Sequence, residues 1–146
     1  MMKKIYTCGK MSGISFLEQM MWRTRIESEI KSALDCGQSV KFVHPPLYYN
    51  YDENYQKTER EILEWEMAQV HDCDIVIVNL DGIDDTIGSH MELGAVQGIN
   101  RFGDKHIFVV GLGKPENLHP WIRESCIRIE DDYAKAAEYI VEYLLT

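Results

Sequence analysis

The chain has 146 residues, of which 45% are hydrophobic and 27% are charged, and its formal net charge at pH 7 is −9. This length and composition predict one globular domain spanning residues 1–146. The negative charge argues against a nucleic-acid polymer as partner, because binding a phosphate backbone needs a basic surface. The sequence contains neither an apolar run of membrane-spanning length nor a signal-peptide core, so we expect a cytoplasmic protein with no membrane partner.

The cysteines are spread along the chain without a C-x-x-C pair or a histidine cluster: Cys8, Cys36, Cys73 and Cys126. Such spacing favours reduced thiols in or near the core over a structural zinc site. We therefore expect these residues to bind no metal.

The N-terminal region predicts a strand, a long helix and a second strand. Residues Lys3–Cys8 include β-branched and aromatic side chains and precede a loop with glycines. A helix is predicted over residues 15–36, ending at Gly37, and a strand is predicted at Val40–Val43. The predicted apolar stripe of this helix comprises Phe16, Leu17, Met20, Met21, Ile26, Ile30, Ala33 and Leu34.

The tyrosine-rich segment at residues 47–56 leaves two interpretations open. It is either a solvated loop or part of a pocket wall in which one of its tyrosines stacks on a base. The candidates for stacking are Tyr48, Tyr49 and Tyr51. A helix is predicted next over residues 58–71, with Thr58 as N-cap and Glu61 completing a capping box. Its predicted buried stripe comprises Ile62, Leu63, Met67 and Val70.

The C-terminal half continues the alternation of strands and helices. Strands are predicted at residues 74–80, 106–111 and 126–129, and helices at residues 89–100 and 131–145. This order predicts an α/β fold with a doubly wound, five-stranded parallel sheet of flavodoxin-like order 2-1-3-4-5. The carboxyl ends of the first and third strands lie side by side in such a sheet, so the loops at residues 8–13 and 81–92 should share one crevice.

Glu92, near the start of the helix after the third strand, is the first candidate for chemistry. A carboxylate there can attack an electrophilic carbon, accept a proton or bind a sugar hydroxyl, or it can simply complement the helix dipole. Gly88 and Ser89 precede it, and glycine lets the backbone approach a ligand closely. Glu66 is either a second acid near this crevice or part of a solvated helix face. The first loop contains four residues that could wrap an anion, unless it is a simple turn: Gly9, Lys10, Ser12 and Gly13.

Together, Tyr6, the CGKMSG loop, Glu66 and the GSHMELGA segment resemble the nucleoside 2-deoxyribosyltransferase family. The resemblance covers nearly the whole chain and is most specific at DIVIVNLDG…GSHMELGA. It implies that Glu92 is the nucleophile that forms an ester at C1′ of deoxyribose and that Tyr6 orients this carboxylate. It also implies that Glu66, where the family usually has an aspartate, manages the proton on the departing base. The family needs no cofactor and no metal.

The resemblance implies a 2′-deoxynucleoside or its 5′-monophosphate as substrate, with a free nucleobase as acceptor. Thr86 lies six residues before the nucleophile, where the transferases carry an aspartate for the 5′-hydroxyl and the related monophosphate hydrolases carry a serine. Lys10 and Ser12 suit a 5′-phosphate. An inward-facing Asp84 or Asp85 would instead favour the free nucleoside.

Asn117 and His119 resemble the family segment that reaches into the site of a neighbouring subunit. This implies a homo-oligomer, at least a dimer, with shared sites. Our first hypothesis is therefore a deoxyribosyltransferase. The alternatives are a deoxynucleoside 5′-monophosphate N-hydrolase and, in another class, a noncatalytic nucleotide-binding or sensing domain.

Overall fold

A computed structural model of the chain describes residues 2–48 and 58–146. Most of the tyrosine-rich segment, including Tyr49 and Tyr51, lies outside the described residues. Tyr48 is described, and its ring packs against that of Trp65 with the centroids 4.7 Å apart.

Five parallel strands form the sheet at the centre of the fold, and their order confirms the predicted flavodoxin-like topology. The strands are β1 (Lys3–Cys8), β2 (Val40–Val43), β3 (Ile75–Asn79), β4 (Phe108–Leu112) and β5 (Arg128–Glu130). They are arranged in the order β2-β1-β3-β4-β5. The first four residues of β3 are buried, as expected for a central parallel strand covered on both faces. This order places the ends of β1 and β3 next to each other.

Helices cover both faces of the sheet. They are α1 (Phe16–Ala33), α2 (Glu59–Asp72), α3 (Ile87–Phe102), α4 (Pro120–Ser125) and α5 (Tyr133–Tyr139), the last continuing into a π-helical turn at Ile140–Leu144. Helices α1 and α5 enclose one core with the sheet, and α2 and α3 enclose the other. Helix α2 begins with the predicted capping box, in which Thr58 and Glu61 each accept from the other's backbone N–H. None of the described helices is both long and apolar enough to cross a bilayer.

The predicted apolar stripe of α1 is partly wrong. Leu17 and Met21 are 69% and 62% exposed. The buried side chains of this helix are Gln19, Trp22, Arg23, Ile26 and Ile30. Polar residues take two buried positions because they donate to backbone carbonyls: Gln19 Nε2, for example, donates to Met11 O at 2.9 Å and to Ile14 O at 3.0 Å. The helix also ends at Ala33, with Leu34 rather than Gly37 at its C-terminal boundary.

Two smaller predictions about burial are also corrected. Leu63 of α2 is 39% exposed, whereas Ile62 and Val70 are buried as expected. All of the cysteines are free thiols, but Cys36 is exposed, because it follows the end of α1 rather than lying within a packed helix.

Gly9, directly after β1, packs against the indole ring of Trp22. A Cβ atom at Gly9 would lie 2.6 Å from Trp22 Cζ2 and 3.3 Å from Asn79 Cβ. We therefore expect Gly9→Ala to destabilise the fold by about 1 to 3 kcal/mol, because the ring or the loop must move. Gly98→Ala, in open space on α3, is the control and should stabilise by about 1 kcal/mol through helix propensity. Urea denaturation measures both effects, and equal midpoints for the two variants would contradict this packing.

Candidate active site

The carboxyl ends of β1 and β3 and the loops that follow them form the predicted crevice. Cys8, the last residue of β1, pairs with Val78 of β3. A Cβ atom at Gly82, in the loop after β3, would lie 3.9 Å from Lys10 Cδ in the loop after β1. The two loops therefore adjoin, as the strand order predicts.

Glu92 faces inward from α3 and is only 6% exposed. Its Oε1 atom lies 4.0 Å from the position that a Cβ would take at Gly88, one turn earlier on the helix. In the described part of the chain, neither Glu92 Oε2 nor the buried hydroxyl of Ser89 has a hydrogen-bond partner. Buried polar atoms in native proteins are rarely left unpartnered, so this cluster suits a polar ligand.

Tyr6 extends from β1 toward the same carboxylate and is fully buried. Its hydroxyl lies close enough to affect the pKa of Glu92, although it makes no hydrogen bond among the described residues. Burial raises the pKa of Tyr6 well above its ordinary value, and the charges of Glu92 and Glu66 raise it further. Tyr6 is therefore a neutral phenol that can donate a hydrogen bond. Such contacts often tighten only when substrate binds.

Burial raises the pKa values of both carboxyl groups in the crevice. For Glu92 the rise is from 4.5 to about 8, with a further contribution from the charge of Glu66 and an opposing one from Tyr6 and Arg23. For Glu66 burial raises the pKa to about 7, against the effect of Arg23. Two interacting groups titrate as a pair, so near neutral pH this pair holds a proton that isolated glutamates would have lost.

Thr86 is placed differently from what a 5′-monophosphate substrate needs, whereas its neighbours Asp84 and Asp85 do not oppose such a substrate. The Thr86 hydroxyl donates to Gly82 O at 2.9 Å, so its proton is not directed at a ligand. No described side chain caps the first amides of α3. Asp85 is exposed, and Asp84 lines a groove between α3 and α4 instead of the Glu92 cluster.

The remaining predicted binding residues are half-buried or exposed. Lys10 is half-buried beside the β3 loop, whereas Ser12 and Gly13 are exposed. Asn117 is exposed with a φ of 65°, and His119 begins α4 by accepting from Trp121 N at 3.1 Å. His119 lines the groove between α3 and α4, which has a volume of about 690 Å³. The groove runs along a different side of α3 from Glu92.

Sequence reasoning missed Arg23 and Gln19, the buried polar residues of α1. Arg23 affects the pKa of both carboxyl groups of the crevice. A usable signal was present: positions 19, 22, 23, 26 and 30 lie on one helical face, so the polar residues share the face of Trp22 and Ile26. Within residues 2–48 and 58–146, no group of three or more His, Cys, Asp or Glu side chains is arranged to hold a metal.

Neither a protein-family model nor a curated protein matches this chain. Among solved structures, the crystal structure of a conserved protein from Enterococcus faecalis V583 is similar, with a TM-score of 0.58 and 15% sequence identity. The similarity covers 96% of this chain and 88% of the other. At that identity it establishes a shared fold alone, so the chemistry has to be inferred from the residues of the site.

Proposed function

We propose that this protein is an enzyme that breaks the N-glycosidic bond of 2′-deoxynucleosides or their 5′-monophosphates and transfers the deoxyribose to a second nucleobase. The observation that carries the proposal is the interaction of two carboxyl groups, the buried Glu92 and the half-buried Glu66, whose pKa values are both raised toward neutrality. A pair that holds one proton near neutral pH can place it on either residue. Glycosyl transfer uses the form with ionised Glu92 as nucleophile and protonated Glu66 as acid, which the higher pKa of Glu92 makes the less populated of the two. The resemblance to the nucleoside 2-deoxyribosyltransferases assigns the same roles.

In the first half-reaction, a Glu92 oxygen attacks C1′ while the bond from C1′ to the base nitrogen breaks. The base leaves with the bonding electron pair and takes the proton of Glu66, so it departs neutral. The nearby Tyr6 hydroxyl lowers the pKa of Glu92, and a hydrogen bond that tightens on substrate binding would favour the ionised carboxylate. Because the transition state resembles an oxocarbenium ion, the carboxylate also stabilises the positive charge that develops on the sugar.

In the second half-reaction, a nitrogen of the incoming base attacks C1′ and the ester bond to Glu92 breaks. The Glu66 carboxylate accepts the proton that the incoming nitrogen loses, which restores the starting state of both residues. Water in place of the base gives free deoxyribose, and the enzyme is then a hydrolase.

A 5′-monophosphate N-hydrolase is the second candidate, and the start of α3 favours a phosphate in this crevice. The amides of its first turn lack a cap among the described residues, and the Ser89 hydroxyl is buried without a partner there. Free amides at a helix N-terminus attract anions. The Thr86 hydroxyl donates to Gly82 O, so these amides and the Ser89 hydroxyl, rather than Thr86, would bind the phosphate.

Product analysis separates these possibilities. The protein is incubated with a deoxynucleoside, and separately with its 5′-monophosphate, each with and without a second free base. A new deoxynucleoside or deoxynucleotide identifies transfer, and free sugar or sugar phosphate without exchange identifies hydrolysis. Binding without any release of base would overturn the proposal in favour of a noncatalytic nucleotide-binding domain.

The proposal includes a homo-oligomer in which Asn117 and His119 complete the site of a neighbouring subunit. In support, Trp121, two residues after His119, is 81% exposed, and Ile87 at the start of α3 is 78% exposed. Exposed apolar and aromatic side chains are typical of protein interfaces.

Subunit mixing tests the shared site. We expect two inactive variants, Glu92→Gln and the double variant Asn117→Ala/His119→Ala, to recover part of the base-exchange activity when mixed. A mixed oligomer contains one site in which both contributing surfaces are intact. Each variant alone is the control. Lack of recovery, with mixed oligomers verified by native mass spectrometry, would contradict a shared site.

A further inference from the structure

Arg23 is a fully buried guanidinium at the carboxyl end of β1. Its Nε donates to Thr7 Oγ1 at 3.1 Å, and its terminal nitrogens donate to the backbone carbonyls of Gln19, Thr7 and Gly9, the last at 3.2 Å. No ion pair among the described residues includes Arg23. A buried charge without an adjacent counter-charge is costly, so its presence needs another source of compensation.

The guanidinium stacks over the Trp22 ring, 4.6 Å from its centroid, and two carboxyl groups of opposite charge lie across the end of the sheet. Arg23 belongs to α1 on one face, whereas Glu66 and Glu92 belong to α2 and α3 on the other. Burial lowers the pKa of Arg23 to about 10, and Glu92 and Glu66 are among the groups that favour its charged form, so it stays ionised at neutral pH. Charges separated by protein interior interact over longer distances than charges in water.

Hydrogen bonds to the backbone also connect Arg23 to the crevice. It holds the carbonyl oxygens of Thr7 and Gly9, the residues on either side of Cys8. The Cys8 side chain points to the opposite face, where its Sγ lies 4.0 Å from Ser89 O at the start of α3. In a trans peptide the N–H points away from the C=O, so the bond to Gly9 O also sets the direction of the Lys10 amide.

The Thr7 hydroxyl that accepts from Arg23 Nε belongs to a hydrogen-bond chain that continues through His44 to Glu27. The Thr7 hydroxyl lies 2.8 Å from His44 Nδ1, and His44 Nε2 lies 3.3 Å from Glu27 Oε1. Arg23 Nε can only donate, so Thr7 Oγ1 accepts from it, and both His44 Nδ1 and Val43 O, the latter at 3.4 Å, lie within reach of the Thr7 hydroxyl hydrogen. Burial lowers the pKa of His44, which favours the neutral ring. Because a Glu27 carboxylate can only accept, the neutral ring carries its proton on Nε2 and its Nδ1 accepts from Thr7.

We propose that Arg23 is a positioning residue of the active site. It fixes the end of β1 and supplies the buried positive charge that keeps one member of the Glu66–Glu92 pair ionised. The catalytic roles of Glu66 and Glu92 rest on the proposed function, but the effect of Arg23 on their ionisation can be measured without substrate. The other titratable groups that interact with Arg23 are Tyr6, Cys8 and His44. Burial raises the pKa values of Tyr6 and Cys8 well above their ordinary values, and burial lowers the pKa of His44, which favours the neutral ring at neutral pH. The carboxyl pair is therefore the group whose charge changes near neutral pH.

The test is an NMR titration of the glutamate side-chain carboxyl carbons in the wild type and in Arg23→Gln. We expect Arg23→Gln to raise the apparent pKa values of the Glu66–Glu92 pair by about one unit. The matched control is Arg25→Gln, which removes an exposed charge of the same helix that stacks over Tyr133, and it should leave these values unchanged. Lower stability of Arg23→Gln with unchanged pKa values would show a merely structural role and overturn the proposal.

The titration needs no substrate, so it distinguishes a failure of this proposal from a failure of the proposed function. If Arg23→Gln does not fold, the double variant Arg23→Gln/Glu92→Gln decides the matter. Removing the carboxylate that Arg23 offsets should allow the double variant to fold at about pH 8. A double variant that also fails to fold would contradict the charge-balancing role of Arg23.

Discussion

Replacing Glu92 with glutamine is expected to reduce base release and base exchange by at least about 10³-fold, because an amide cannot form the ester with C1′. Glutamine has the shape of glutamate, so the fold of the crevice should persist. The Glu66→Gln variant is expected to lose about 10² to 10⁴-fold, since the acid that protonates the leaving base is gone. Steady-state kcat/KM for base release measures both losses.

Glu64 provides the matched control for these variants. It is exposed on α2, two residues before Glu66, and its only ion pair among the described residues is with exposed Arg60 at 3.5 Å. We expect Glu64→Gln to retain the wild-type rate. A Glu92→Gln variant that did the same would show that the nucleophile lies elsewhere.

The second large effect concerns stability, since Glu92→Gln is expected to stabilise the fold above neutral pH while it abolishes activity. Burial and the charge of Glu66 raise the native pKa of Glu92 from 4.5 to about 8. Between these pH values the unfolded chain has lost the proton that the native state retains, so wild-type stability falls as pH rises through this window. Glutamine has no proton to lose. The gain should be near zero at pH 4.5 and reach about 2 to 5 kcal/mol above pH 8.

Urea denaturation at about pH 5 and about pH 8.5 measures this difference. Glu64→Gln serves again as control, because an exposed carboxylate should give little change at either pH. A gain in stability that is the same at both pH values would contradict the conclusion that burial raises the pKa of Glu92. The expected trade of stability for activity is common at catalytic sites.

The strands and helices could be predicted because their signals are local, and their alternation along the chain then indicated the strand order. The apolar run of β3 and the capping box of Thr58 and Glu61 each lie within a few consecutive residues. The bounds of β4 could not be predicted in the same way. This strand begins at Phe108, where pairing with Ile75 of β3 begins, and such pairing depends on a distant part of the chain.

The buried face of α1 shows where hydrophobicity alone fails. Arg23 and Gln19 are buried because the loop after β1 presents carbonyl groups to them. These partners are set by the tertiary structure. The sequence signal is only that the two polar residues share a helical face with Trp22 and Ile26. Leu17 and Met21, which the apolar periodicity predicted to be buried, are exposed.

The candidate site was only partly accessible from the sequence. The topology predicted that the loops after β1 and β3 adjoin, and the resemblance pointed to Glu92, Tyr6 and Glu66. The raised pKa values of the carboxyl pair, however, depend on burial. The bond from Thr86 to Gly82 depends on the turn between β3 and α3.

Mass spectrometry of the acid-quenched protein is the most direct test of the central claim. The wild type is mixed with a deoxynucleoside, and separately with its 5′-monophosphate, without a second base, and is then digested. We predict that the peptide containing Glu92 gains the mass of one deoxyribosyl group, or of its 5′-phosphate when the monophosphate is used, and that Glu92→Gln gains none. Release of base by the wild type without this adduct, at an unchanged rate in Glu92→Gln, would contradict a covalent mechanism through Glu92.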